Sequence, residues 1–287
     1  MTTALGRRSW FALAALLLIP GCLDFAKQTV LIKFDEKTEK VTILSVYERF
    51  HVNRGLSKKD SLKDAKESLS KFVGDEPNVV VFSKWINLNL IPEDDDPPEV
   101  NSIKRRLAAV MKIDRGRLLL NERGELSGFQ TITIFDRTAL VKVVNDSISD
   151  LVRSQPSLGM SDETDRLVKE AAKRGHRWVK ISVGQVVVDV PMAEKDADKL
   201  MGDMRADAST MTSIREAVGV FELSKTDHGI AAKLGDGKNR LMTIQHAFKE
   251  KTPKMERELL DFAKTPPMSI DQSQDTRAVM EKFRSSP

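Results

Sequence analysis

A single cysteine, Cys22, stands in 287 residues, with four histidines, three tryptophans and one tyrosine. One thiol cannot close an intrachain disulfide, and a zinc site built on several cysteines is excluded with it. His51, His176, His228 and His246 fall in no H-x-x-x-H or H-E-x-x-H spacing, so the usual helical zinc signature is missing. Neither G-x-G-x-x-G nor G-x-S-x-G occurs, which removes the common markers of dinucleotide binding and α/β-hydrolase chemistry. Sparse aromatics argue against a stacking platform for sugars or peptides, and Trp85 and Trp178, on predicted strands, read as core. Charge of one sign is lacking too. Forty-six basic side chains alternate with 42 acidic ones, giving a mixed solvated surface without the basic stripe of a nucleic-acid binder. No nucleic-acid partner, metal or cofactor is expected.

The chain also lacks a long apolar run. Trp10 to Ile19 is unbroken for ten residues, then Pro20 and Gly21 end any helix. A membrane span needs roughly twenty. Arg7 and Arg8 precede the run, and a positive flank before a short apolar stretch is the pattern of an export signal. Leu18-Ile19-Pro20-Gly21-Cys22 resembles the lipobox of bacterial lipoproteins, with Ile19 and Gly21 matching and Pro20 standing where a small or aliphatic residue is usual. The resemblance covers only the first 22 residues. It implies that Cys22 receives a diacylglyceryl group, that a dedicated peptidase cuts before it, and that the new amino group is acylated. Leu23 instead of aspartate after the cysteine implies an outer-membrane destination where the organism has one. Loss of residues 1–21 removes Arg7 and Arg8 and no acid, so the formal charge falls from +4 to +2.

Downstream, "TVLIKF" (29–34) and "VTILSVYERFHV" (41–52) predict a hairpin across a polar connection. Leu62, Ala65, Leu69 and Phe72 make one helix face. A strand is expected over 78–91, then an exposed loop at "PEDDDPPE" (92–99), where three prolines lack donors. A helix carrying Ile103, Leu107, Val110 and Met111 follows, then a hairpin around "NERGE". Asp136 caps a helix with Leu140, Val144, Ile148, Leu151 and Val152 on one side, and Asp162 opens another with Leu167, Val168, Ala171 and Ala172 inward. Residues 177–191 read as one strand and 193–206 as a helix burying Ala197, Leu200, Met201 and Met204. Three strands follow, and "GDGKN" is read as the hairpin turn between the last two. It is no phosphate loop, since Ala232 and Asn239 occupy positions that need glycine and Ser or Thr.

Hairpins interspersed with amphipathic helices predict an α+β fold with mostly antiparallel sheet. The organisation expected is a signal peptide (1–21), an anchor and short tether (22–28), α+β units over 29–154 and 162–248 or one composite domain, and a helical, partly disordered tail (249–287). Candidate chemistry is thin. His228 and His246, on neighbouring predicted strands with Asp227 near, are a metal pair to test, and Asp94 to Asp96 are a calcium candidate without the EF-hand spacing. Only Cys22 receives a role, which is lipidation. The functional expectation is a lipid-anchored extracytoplasmic protein of the bacterial envelope, held to the membrane by its N-terminal lipid and acting on an envelope protein partner as a scaffold or interaction component. The alternatives are a tethered small-ligand or lipid-binding module, and a hydrolase whose groups converge only in the fold.

Overall fold

A computed structural model describes residues 23–35, 37–52, 58–74, 90–94, 96–155, 157, 159–206, 221–247 and 257–286. Cys22, Trp85 and the predicted strand up to residue 89 lie outside them. The fold is α+β, with seven helices and eleven strands among the described residues. Among the described residues, contacts gather into two units, one within 23–33, 40–135 and 243–286 and the other within 34–39 and 136–242.

The first unit is built on a seven-stranded sheet. Its strands are β1 (Leu23–Phe34), β2 (Val41–Val52), β3 (Met111–Ile113), β4 (Arg117–Leu120), β5 (Leu126–Ile134), β10 (Leu241–Ala247) and β11 (Ile270–Asp271). They run in the order β10-β1-β2-β5-β4-β11, with β3 also on β5. Register is antiparallel along β2 and β5, from Val41 opposite Ile134 to Tyr47 opposite Gly128. β3 and β4 share one edge of β5 and are offset by one residue, because Met111 pairs with Ile134 but Arg117 with Phe129. That extra residue is a bulge at 114–116.

The core of this unit joins Phe25, Tyr47, Phe50 and Leu126 from the sheet to Ala65, Leu69 and Phe72 of helix α1 (Lys58–Val73). The predicted helix face is thus the buried one. Gly116 and Gly128 let the sheet approach it. A Cβ on Gly116 would stand 2.4 Å from the Phe72 ring, and one on Gly128 would stand 2.9 Å from Phe50 and 3.0 Å from Phe72. Helix α2 (Pro98–Val110) starts with proline at its first turn, where the missing donor costs nothing. Met111, expected on that helix, belongs to β3.

Residues 257–286 are part of this core. Helix α6 (Arg257–Ala263) buries Leu259 and Ala263, β11 pairs parallel with β4, and helix α7 (Thr276–Ser285) is capped by Asp275, which accepts from the Ala278 N–H at 2.8 Å. The chain enters this unit at its first described residue, since Leu23 and Phe25 are buried in the same cluster. No flexible tether therefore separates position 22 from the fold.

In the second unit, α3 (Arg137–Ser154) is capped by Asp136 and α4 (Asp162–Lys173) by Ser161. A small core of Val152, Val168, Ala172 and Trp178 lies between them and the sheet β6-β7-β9-β8. The strands are β6 (Val179–Ser182), β7 (Gln185–Pro191), β8 (Phe221–Thr226) and β9 (Gly229–Leu234). The single strand expected over 177–191 is a hairpin, because Gly184 adopts φ +67 and reverses the chain. The hairpin expected across "GDGKN" is corrected as well. β9 pairs with β7 and β8, whereas β10 belongs to the other sheet.

Helix α5 (Glu194–Ala206) is tied to α4 through Asp196, which accepts from the Ser161 and Thr164 hydroxyls, while the Thr164 oxygen accepts from the Ala193 N–H at 3.0 Å. The hydrogen bond from Ser161, followed by that from Thr164, holds the Asp196 carboxyl below the ordinary aspartate value.

Two outcomes are expected. Leu259→Ala lowers stability by about 2–5 kcal/mol by leaving a cavity, while the neighbouring exposed Arg257→Ala is close to neutral, as read by urea unfolding. A depressed carboxyl stabilises above its unfolded value, about pH 3.9, and ceases to do so as pH falls through the folded value. Asp196→Asn therefore weakens the second unit at neutral pH, and its deficit against the wild type shrinks in acid.

Candidate functional site

The cleft that gathers the most chemistry lies in the first unit, has a volume of about 590 Å³, and is walled by β1, β2, the β4–β5 turn, β10 and α7. It opens where β2 leaves regular geometry. Arg49 sits in the left-handed region at φ 65, among the described residues the only non-glycine that does so. Its N–H donates to the Ser127 hydroxyl at 3.2 Å, and the regular ladder of β2 on β5 runs to Tyr47, two residues earlier. Such a conformation costs of order 1–2 kcal/mol in a residue with a Cβ.

Ion pairs line the walls. Lys27 meets Glu48 at 2.8 Å, and Arg49 Nε meets Glu125 Oε1 at 3.0 Å. The other Glu125 oxygen accepts from Asn121 Nδ2 at 2.8 Å, so this carboxylate is held on both oxygens. Asn121 also folds the turn, its Oδ1 accepting from the N–H groups of Arg123 at 3.0 Å and Glu125 at 2.9 Å, with Gly124 at φ +72 closing it. This presents Glu122 and Arg123 at the rim, where the Glu122 carboxylate acts electrostatically on Arg277. From α7, Arg277 reaches the cleft while bonded to Glu281 at 2.9 Å, a bond that raises its already high pKa.

His51 lies on this wall, buried, its Nδ1 donating to the Arg49 carbonyl at 3.1 Å. The other sequence candidates are scattered. His176 stands against Trp178 with ring centroids 4.8 Å apart and 3.3 Å from the Asp189 carbonyl. His228 occupies the β8–β9 turn and His246 the strand β10, on different sheets, so the proposed pair does not form on neighbouring strands. No cluster of three or more metal-ligating side chains occurs among the described residues. Asp96 is taken by Lys104 and by the Glu93 N–H, and the Lys104 bond holds its carboxyl low. In "GDGKN" the Asp236 carboxylate already accepts from the N–H groups of Lys238 at 2.9 Å and Asn239 at 3.0 Å. A phosphate would need those donors. Trp178 is core, donating to the Ser149 hydroxyl at 2.8 Å.

A wider groove of about 1270 Å³ passes Gly116, Phe129, Met268 and Phe283. Several of its charges are engaged locally, Lys112 with Asp114 at 2.7 Å and Arg117 over the Phe129 ring. The smaller cleft differs from it in the density of charge of both signs along its walls. Sequence reasoning missed Lys27, Arg49, Arg123 and Glu122, which come from stretches far apart in the chain. No family model, no characterised protein and no solved structure matches this chain.

Strain at Arg49 is directly measurable. In an ordinary strand glycine is worse than alanine by about 0.5–1 kcal/mol. At this position the order reverses: Arg49→Gly is expected to exceed Arg49→Ala in urea-unfolding stability by about 1 kcal/mol, both having lost the Glu125 pair.

Proposed function

We propose that this chain is a lipid-anchored protein of the bacterial cell envelope that works outside the cytoplasm by contact with an envelope protein, as a scaffold or interaction component. The observation that carries the reading is the N-terminal pattern, Arg7 and Arg8 before the apolar run Trp10–Ile19 and then Gly21-Cys22. A cut before the cysteine leaves every described element whole. Two or more acyl chains on Cys22 anchor stably, where a single chain holds only marginally.

Several acids of the described residues are held by local donors. The shifted carboxyls among the described residues, at Asp35, Glu67, Asp96, Asp196, Asp236 and Asp271, all move down, chiefly through hydrogen bonds from neighbouring donors. That is the behaviour of turns, caps and ion pairs. The cleft of the first unit supports a second reading, a module that binds a small charged ligand.

The test is the intact mass and membrane partitioning of the protein beside Cys22→Ser in a bacterial host. The expected product begins at Cys22, carries acyl mass, sediments with membranes and brings down a reproducible envelope protein from detergent, while the variant keeps residues 1–21. Retention of those residues on an unmodified Cys22 overturns the anchoring. An anchored product that repeatedly returns no partner overturns the contact role.

A further inference from the structure

We infer that helix α7 is a strap that opens by itself while the rest of the first unit stays folded, and that Lys33 of β1 is the clamp that holds it shut over one face of the sheet. This goes beyond the anchoring and contact readings and depends on neither.

The two faces of the sheet are covered differently. Tyr47 and Gly128, opposite each other, belong to the face that α1 covers with Ala65, Leu69 and Phe72. Leu44 and Val46, opposite Thr131 and Phe129, point to the other face. There α7 packs on β2 and β5. It carries one narrow stripe: Thr276 and Val279 are buried, Met280 and Phe283 are half-buried, and its other six residues are exposed. A helix of ten residues is too short to persist unsupported, since isolated helices below about 12–15 are marginal in water. β11, which leads into it, pairs with β4 through Ile270 and Asp271 alone. The ties of α7 to the unit are few.

Lys33 supplies the strongest of them. Its ammonium donates to the Phe283 carbonyl at 2.7 Å, to the Ser286 hydroxyl at 2.9 Å and to the Ser286 carbonyl. An ammonium has three donors, and all three end on the last turn of α7 or just past it. A helix leaves its final carbonyls without partners and its C-terminus partly negative, so a cation there meets both demands. The same nitrogen stands 5.2 Å from the centroid of the Phe283 ring, at the end of the stripe.

Beside the clamp lies open space. The groove of about 1270 Å³ is bordered by Val279, Phe283 and Ser286 of the strap and by Leu44 and Phe129 of the sheet. Two of those three strap residues are the ones Lys33 holds. Lifting α7 widens this groove onto Leu44 and Val46, which are now 2% and 0% exposed. Segments with few buried contacts open locally at lower free energy than the whole. By contrast α1, with Leu69 and Phe72 in the aromatic core, opens only with the unit.

The experiment follows amide hydrogen exchange of the full-length protein by mass spectrometry, comparing peptides from α7 and α1 at several sub-denaturing urea concentrations. Amides of α7 are expected to exchange at least about tenfold faster than those of α1, with a weak dependence on urea because a local opening exposes little surface. Lys33→Met keeps an apolar stem and deletes the donors. It is expected to speed α7 exchange about tenfold, the worth of a charge-assisted hydrogen bond, to leave α1 unchanged, and to raise the emission of added anilinonaphthalene sulfonate as Leu44 and Val46 are uncovered. Lys33→Arg, which retains a cation and its donors, recovers part of the protection. Exchange of α7 and α1 together with one urea dependence overturns the inference, as does a Lys33→Met effect that is absent or equal on both helices. Faster α7 exchange without added dye emission overturns the claim that the strap covers the apolar face.

Discussion

The Tyr47 ring meets Phe25 of β1 at 5.2 Å, Phe72 of α1 at 5.6 Å and Phe50, three residues on in its own strand, at 5.9 Å. In a regular strand residues three apart point to opposite faces. Tyr47 and Phe50 are both buried in one core, so the strand must gain a residue between them. Arg49 at φ 65 is that residue. Aromatic pairs add about 0.5–1.5 kcal/mol each beyond the area they bury, and the set around Tyr47 outweighs one left-handed residue. Gly128, directly opposite Tyr47, leaves the space that Phe50 and Phe72 fill.

The cleft follows from the same constraint. Once the phase of β2 slips, Glu48 and Arg49 both leave the core side, and the partners that receive them, Lys27 and Glu125, are set by β1 and the β4–β5 turn. Partly exposed pairs of this kind contribute little to stability, of order 0–1 kcal/mol. Their effect is positional. Asn121 fixes Glu125, Glu125 fixes Arg49, and the turn that does this carries Glu122 and Arg123 at its tip. Core packing thereby determines where charge is displayed.

Much of this fold is legible residue by residue. The α1 face, the Asp136 cap, the hairpin across "NERGE" and the α+β class follow from spacing and local turn chemistry. Partner choice between strands does not. "GDGKN" satisfies its own donors through Asp236 and looks like a hairpin turn, yet the strand after it joins β1 and not β9. The reversal at Gly184 was hidden because Val179, Ile181 and Val183 before it and Val186 to Val188 after it are all β-branched, so both flanks read as the same strand. Burial of Leu259 and Ala263 depends on contacts with α1 almost two hundred residues earlier, which no local pattern encodes. The cleft was illegible for a related reason: among 42 acids and 46 bases, only the fold selects which few meet.

Placement of β1 bears on how such an anchor would act. A flexible linker lets a folded body diffuse over a hemisphere around its lipid, and its orientation averages out. Here the strand that follows position 22 lies between β10 and β2, and its buried ring Phe25 packs on Tyr47. That attachment keeps the start of β1 within reach of the acylated cysteine. Under the proposed acylation the aromatic cluster that forces the bulge at Arg49 also holds β1, so that packing, charge display and distance from the membrane depend on one set of contacts.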